Sequence, residues 1–349
     1  MNGEGMANTI LDVQNLRVNI KNQTENIPVV ENVSFSLRQG EIIGLVGESG
    51  CGKSISSMSI VNLNAKNAFY GEQSRIFYNP EDAEEAVDLM KLGPKDMRTY
   101  RGKEISVIFQ DSLTGLDPVL TLGNIMTEAI RAHKKISKRE ALEEAVEMLR
   151  SVGIPAPEVR IHEYAHQLSG GMRQRVMIAL AMLHHSKILI ADEPTTALDV
   201  TIQDHILQLI RKLRDKEHMS VILITHDMGV VAEMTDYIYV MYSGRIVEEG
   251  PTKDIFEHPK HPYTIGLLKS IPRLDKTEDV LYTIPGTVPR PGNIQQGCRF
   301  AGRCPYASKK CRDEEPELFI NGNSRSRCWN CAELKKSLGE KDVYISYRK

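Results

Sequence analysis

Ile42-Ile43-Gly44-Leu45-Val46-Gly47-Glu48-Ser49-Gly50-Cys51-Gly52-Lys53-Ser54 decides the fold of this 349-residue chain. The short apolar run at its start reads as a buried parallel strand. Gly47 to Ser54 then spells G-x-x-x-x-G-K-[S/T], and a helix is expected from about Lys53 to Leu63. Strand, glycine-rich turn and helix are the context a phosphate-binding loop requires. Glycines let backbone N–H groups wrap β- and γ-phosphates, and the helix start adds a favourable field. Gly47, Glu48, Ser49, Gly50, Cys51 and Gly52 would form that cradle. Lys53 would pair with phosphate oxygens and Ser54 would ligate Mg2+. Cys51 is expected to be a small loop residue with no catalytic part.

Working outward, Leu16, Val18 and Ile20 alternate with polar residues, as do Val33, Phe35 and Leu37, the period of half-buried strands. The middle of the chain is more helical. Ser137 with Glu140 forms a capping-box pattern, Leu142, Ala145, Val146 and Leu149 share one helical face, and Gly153 and Pro155 end the helix. A second helix is expected from Gly171 to His184. From Lys187, apolar strands (Ile188–Ala191, Val221–Ile224, and one near Tyr237–Met241) alternate with helices, which implies an α/β sheet. Periodicity fades near His258, and a domain boundary is placed there.

Ile188-Leu189-Ile190-Ala191-Asp192-Glu193-Pro194 puts two carboxylates at the C-terminal end of a buried strand, where open α/β sheets hold ligands. Asp192 would hold Mg2+, directly or through water, and Glu193 is placed to act as general base on the attacking water. Ser169, Gly170 and Gly171 open a helix, a second anion-binding N-terminus or a plain N-cap. His226 follows a strand end, where an imidazole could meet a γ-phosphate.

Composition narrows the function classes. Hydrophobic residues make up 41%, charged residues 26%, and the formal net charge is −2. That near-neutral balance argues against bulk electrostatic binding of nucleic acid or anionic lipid. A mean hydropathy of −0.31 and frequently broken apolar runs exclude a spanning segment of about 20 apolar residues. Met1 to Ile10 lacks the basic and apolar pattern of a secretory signal. Five of six cysteines fall after residue 297, so a reducing compartment and a metal role for the cluster are expected.

These motifs, in this order, resemble the ABC-type ATPases over roughly residues 9–258. The matching features are the loop at 47–54, Leu168-Ser169-Gly170-Gly171, Asp192-Glu193, Ala197-Leu198-Asp199, His226, and Gln110 after the strand Ile105–Phe109. The resemblance implies a RecA-like α/β core with an antiparallel β subdomain and a helical subdomain at about 112–184. It also implies a head-to-tail dimer sandwiching two ATP molecules between the loop of one subunit and the Ser169 signature of the other. By resemblance, Gln110 senses Mg2+ and couples to membrane subunits, Asp199 links the two sites, and His226 contacts the γ-phosphate. Met172 replaces the commoner Gln of the signature, and Ile20 stands where many relatives stack an aromatic on adenine.

Residues 259–349 form a tail, most of which (to Cys331) resembles the C-terminal extension of oligopeptide/dipeptide importer ATPases. The match rests on Gly297-Cys298-Arg299-Phe300-Ala301-Gly302-Arg303-Cys304-Pro305 through Cys311, with Cys328 further on, and on the segment Gln110–Pro118. The spacing C-x5-C-x6-C-x16-C offers four thiolates suited to zinc or to an iron–sulfur cluster, and spacing alone leaves the two open. The resemblance implies a [4Fe–4S] cluster on Cys298, Cys304, Cys311 and Cys328, with Cys331 as an extra or substitute ligand. Arg299, Arg303, Lys309, Lys310 and Arg327 would either offset thiolate charge or form a solvated basic face. The tail's expected part is structural.

The expected activity is that of a transport ATPase at the cytoplasmic face of a membrane. Its expected partners are a second, related ATPase subunit, two permease subunits and an extracytoplasmic peptide-binding protein, with no nucleic acid. Peptides, nickel complexes and other small solutes remain open as cargo. A soluble ABC ATPase acting on nucleic acid or ribosomes would usually join two cassettes in one chain, and a metal-binding regulator would leave the ATPase motifs unexplained.

Overall fold

A computed structural model describes residues 8–22, 25–80, 85–110, 115–196, 198–271, 282–293 and 296–330. Residues 111–114 of the Gln110 segment, Ala197, Cys331 and most of Met1–Ile10 lie outside the described residues. Along the chain come β1 (Thr9–Lys21), β2 (Asn26–Arg38), β3 (Ile42–Val46), α1 (Lys53–Ile60), β4 (Ala68–Tyr70), β5 (Arg75–Tyr78), β6 (Val87–Asp88), α2 (Pro94–Tyr100) and β7 (Ile105–Ile108). Next are α3 (Leu122–His133), α4 (Lys138–Ser151), α5 (Pro157–Arg160), α6 (Gly170–Met182), β8 (Ile188–Asp192), α7 (Val200–Glu217) and β9 (Ser220–Thr225). The chain continues through α8 (Met228–Met234), β10 (Tyr237–Tyr242), β11 (Arg245–Pro251), α9 (Thr252–Glu257) and α10 (Pro262–Lys269). It then forms α11 (Lys309–Asp313), β12 (Phe319–Asn321) and β13 (Ser324–Ser326). No helix among the described residues is long and apolar enough to cross a membrane.

The chain divides into two compact units. The first takes Met1–Leu37, Ile42–Met90 and Leu223–Lys349, so the described part of the tail belongs with the strands that begin the chain. One of its sheets pairs β1 antiparallel with β4 and β5, and β5 with β6. In β1 the inward set switches from Leu11 and Val13 to Leu16 and Val18 across Asn15, whose φ is 49°. In β2 the same switch, from Val30 to Val33, Phe35 and Leu37, falls at Asn32 (φ 50°). A single residue in the left-handed region shifts the period-two alternation by one, and Asn tolerates that region better than most residues.

The other sheet of the first unit pairs β3 parallel with β10, β10 antiparallel with β11, β11 with β13, and β13 with β12. All five residues of β3 are buried, as the continuous apolar run predicted. A core cluster joins Val46 and Tyr242 to Tyr263 and Leu267 of α10 and to Phe300. Tail and strands therefore share one hydrophobic core.

The second unit takes Arg38–Glu41 and Lys91–Ile222. Here β7 and β8 pair in parallel. The capping box at Ser137 and Glu140 is present, with Ala141, Ala145 and Leu149 buried along α4 and Gly153 in the left-handed region after it. Gly171 admits a close approach. A Cβ there would sit 2.9 Å from Cγ2 of Ile202 in α7.

Candidate nucleotide site and cysteine pocket

In the first unit, Gly52 caps α1 in the left-handed region (φ 100°), and Gly47 and Gly50 also take positive φ. A side chain at Gly47 would run into the Met241 carbonyl of β10, so glycine is required where the loop leaves the sheet. Ser49 and Gly50 are exposed and Ser54 is half-buried at the helix start. Lys53 is only 5% exposed. Its Nζ donates to the carbonyls of Gly47 (2.6 Å) and Glu48 (3.0 Å), so the charge is held inside the loop by backbone oxygens. Beneath it lies Cys51, whose thiol is pushed up by burial while Lys53 pulls it down. The Cys51 carbonyl accepts from the Gly244 N–H at 2.9 Å, which ties the underside of the loop to the β10–β11 turn.

His226 is exposed immediately after β9. The next residue fixes the local geometry: Asp227 caps α8, its Oδ1 accepting from the N–H groups of Gly229 (2.8 Å) and Val230 (3.3 Å).

In the second unit, β8 ends with Asp192 buried and Glu193 half-buried. Glu193 adopts φ 46°, a left-handed conformation rare for a residue with a Cβ. Its Oε2 accepts from Gln110 Nε2 at 3.0 Å and from Thr196 Oγ1 at 2.8 Å. The structure thus brings Gln110 and Glu193 together, and adds Thr196, which the sequence reading missed. Only the spacing Glu193-x-x-Thr196, a turn-forming pattern, could have pointed to it. Ser169 caps α6, its Oγ accepting from the Met172 N–H at 3.3 Å, with Gly170 and Gly171 as the first helical residues. Asp199 caps α7 in the same way through Ile202 N–H at 3.0 Å.

The tail places Cys298, Cys304, Cys311 and Cys328 around one small pocket, lined also by His261, Phe300 and Trp329. Burial pushes the Cys298 thiol up to about 11 and raises that of Cys304. His261 is wholly buried, and burial lowers its pKa to about 3, so it is neutral. Its Nδ1 accepts from the Tyr263 N–H (3.1 Å), and Lys310 Nζ lies 3.7 Å from the Trp329 ring centre. Among the described residues, no three His, Cys, Asp or Glu side chains are grouped to hold a metal ion.

The tail arginines are not a solvated face. Arg299, 5% exposed, meets Glu31 Oε1 at 2.6 Å and the Ser243 carbonyl. Arg303, 7% exposed, meets Glu48, and Arg327 donates to the carbonyls of Ile246 (2.9 Å) and Pro316 (3.2 Å).

Comparison with known proteins accords with this geometry. Residues 30–196 match the ABC transporter family, and residues 247–311 match the oligopeptide/dipeptide transporter C-terminal region. A dimeric structure of a post-hydrolysis state of an ATP-binding cassette, bound to ADP and Pi, superposes with a TM-score of 0.60 at 26% identity. It covers 69% of this chain and 98% of that one. The chain belongs to the ABC transporter ATP-binding proteins and has their mixed α/β ATPase fold. Within that class, it is 47% identical to a dipeptide transport ATP-binding protein of Bacillus subtilis (strain 168), across 92% of this chain and 94% of that protein. It is equally similar to an oligopeptide transport ATP-binding protein of the same organism, across 92% and 96%. It is 45% identical to a putative peptide import ATP-binding protein of Brucella melitensis biotype 1, across 93% and 98%. The chain is an ATPase of the ABC transporter class.

Proposed function

We propose that this chain is the ATP-hydrolysing subunit of a membrane importer for peptides, working at the cytoplasmic face through two permease subunits. The supporting observation is the pairing, in one compact unit, of a phosphate-binding loop with a tail matching the oligopeptide/dipeptide transporter C-terminal region. Residues 1–258 act as the nucleotide-binding domain and 259–349 as the extension. A second ATPase subunit completes the sandwich, and an extracytoplasmic peptide-binding protein delivers cargo.

The residues take the following parts. Gly47 to Lys53 cradle the triphosphate, and Ser169, Gly170 and Gly171 present their helix N-terminus to the partner's nucleotide. Ser54, Gln110 and Asp192 would hold Mg2+, which neutralises charge on the phosphate oxygens. Glu193 takes the proton of the attacking water, positioned by Gln110 and Thr196. His226 contacts the γ-phosphate, Asp199 links the two sites, and Ile20, half-buried in β1, gives adenine an apolar contact.

Cys298, Cys304, Cys311 and Cys328 are proposed to hold a [4Fe–4S] cluster that staples the tail. Soft donors around a single cavity fit such a group.

Affinity purification from membranes tests the transport reading. Two multi-span membrane proteins should co-purify, and the associated binding protein should carry a peptide. A stable complex with ribosomes and no permeases would overturn it.

A further inference from the structure

Among the six residues from Gly47 to Gly52, the outer limb is thinly anchored. Ser49 and Gly50 are exposed, three positions are glycine, and Cys51 faces the underside. What holds that limb is Glu48. Its backbone N–H donates to the Tyr263 hydroxyl at 2.7 Å. Its carboxylate receives both prongs of Arg303, Nη1 to Oε2 at 2.7 Å and Nη2 to Oε1 at 3.0 Å. Its carbonyl accepts from Lys53 Nζ at 3.0 Å.

Both outside anchors come from beyond residue 258, and both are themselves fixed. Arg303 Nε donates to the Pro285 carbonyl at 2.8 Å, and Nη2 reaches that of Ile284 at 3.2 Å. Tyr263 packs against Tyr242 and Phe300, with ring centroids 4.7 and 5.4 Å away. From these contacts we infer that Arg303 is a positioning residue for nucleotide binding. It clamps the Glu48 carboxylate, and so sets the loop and the Lys53 ammonium in place before the triphosphate arrives. This inference rests on the proposed role of the loop as the ATP cradle.

Two physical effects follow from the fork. A carboxylate beside a triphosphate repels it, and a guanidinium paired bidentately cancels that charge and fixes its direction. A loop already ordered also loses less conformational freedom on binding. Removing Arg303 undoes both, leaving a mobile anion where phosphate must sit. Removing the Glu48 charge as well should restore part of the affinity, because the repulsion goes with it. A merely structural role for Arg303 predicts no such recovery.

The test is equilibrium binding of ATP to the full-length chain, with KM and kcat measured on the assembled transporter. Arg303→Ala should weaken binding by about 5- to 30-fold, equivalent to 1–2 kcal/mol, and raise KM by a similar factor with a smaller change in kcat. Arg303→Lys should recover part of the loss, and Glu48→Gln in the Arg303→Ala background should recover more. Iron, sulfide and zinc content should match the parent in every variant, since Arg303 adjoins Cys304 in sequence. Parent-like ATP affinity in Arg303→Ala overturns the inference, as does loss that Glu48→Gln leaves untouched. Loss of tail metal in step with affinity overturns it too. Failure of the parent chain to bind ATP would instead sink the reading of the loop itself.

Discussion

Replacing Glu193 by Gln separates binding from hydrolysis at the proposed base. Glu193 Oε2 accepts one hydrogen bond from Gln110 and one from Thr196, at 3.0 and 2.8 Å. An amide oxygen can accept both, but each bond then changes from charge-assisted to neutral, a loss of about 1 kcal/mol apiece. Stability should therefore fall by no more than about 2 kcal/mol, less whatever solvent supplies at this half-buried site. Chemistry should suffer more. General-base catalysis contributes about 10²- to 10⁴-fold, or roughly 2.7–5.5 kcal/mol of barrier. The assay is phosphate release in the assembled complex at saturating ATP, alongside retention of unhydrolysed nucleotide. The variant should hold ATP and turn over at least about 100-fold more slowly. Glu193→Gly sharpens the comparison, because the left-handed backbone (φ 46°) costs about 1–2 kcal/mol with a Cβ and little in glycine. That variant should be inactive and close to Glu193→Gln in stability, the relieved backbone offsetting the two neutral hydrogen bonds that glycine gives up. Undiminished ATPase activity in Glu193→Gln would refute the assignment.

Lys53→Ala should weaken ATP binding on the order of 10- to 100-fold, the worth of a charge-assisted contact to phosphate. Equal affinity, measured by equilibrium binding, would count against the cradle. Purification without oxygen should give a coloured protein with about four irons and four sulfides per chain, the content of one [4Fe–4S] cluster. A colourless protein with one zinc would end the cluster reading. His261, neutral in the fold with a pKa of about 3 against an ordinary 6.5, makes the unfolded chain the better proton acceptor between those values. Stability is thus whole above the unfolded value and falls as pH drops, by about 1.4 kcal/mol between pH 7.5 and 5.5. His261→Asn keeps a cap for α10 and should lose that share of the slope in urea unfolding. Identical slopes in the two proteins would contradict it.

The strands and helices around the loop were legible because their signals are local. Glycines at fixed spacing, an apolar run of strand length and a capping box each act within a few residues. The Asp192-Glu193 end and the Ser169 cap were readable for the same reason. What escaped, apart from Thr196, were side-chain pairings between residues far apart in sequence. Thr196 serves Glu193 across a turn, but Gln110 reaches it from 83 residues away. Arg303 reaches Glu48 across 255 residues, and Arg299 reaches Glu31 across 268. Read as sequence, those arginines looked like counter-charges for the neighbouring thiols or a solvated face, since nothing in a linear pattern names a distant carboxylate. The alternation in β1 also hid its switch at Asn15, because an Asn in a strand could equally be a surface residue. Only burial on both sides of it reveals the change of face.

The tail's membership in the first unit has a consequence for how such chains can be recombined. Phe300 completes the ring packing around Tyr242 and Tyr263, Arg299 closes on Glu31, and β13 extends the sheet from β11. A cut near residue 258 would leave Glu31 and Glu48 facing water and strip an edge from a sheet. Grafting a foreign tail would succeed only where the recipient offers carboxylates at both places and a tyrosine at the end of β10. The extension packs with the strands of its cassette as one object, and a swap that respects only the motif boundary would break the nucleotide-binding half as well as the tail.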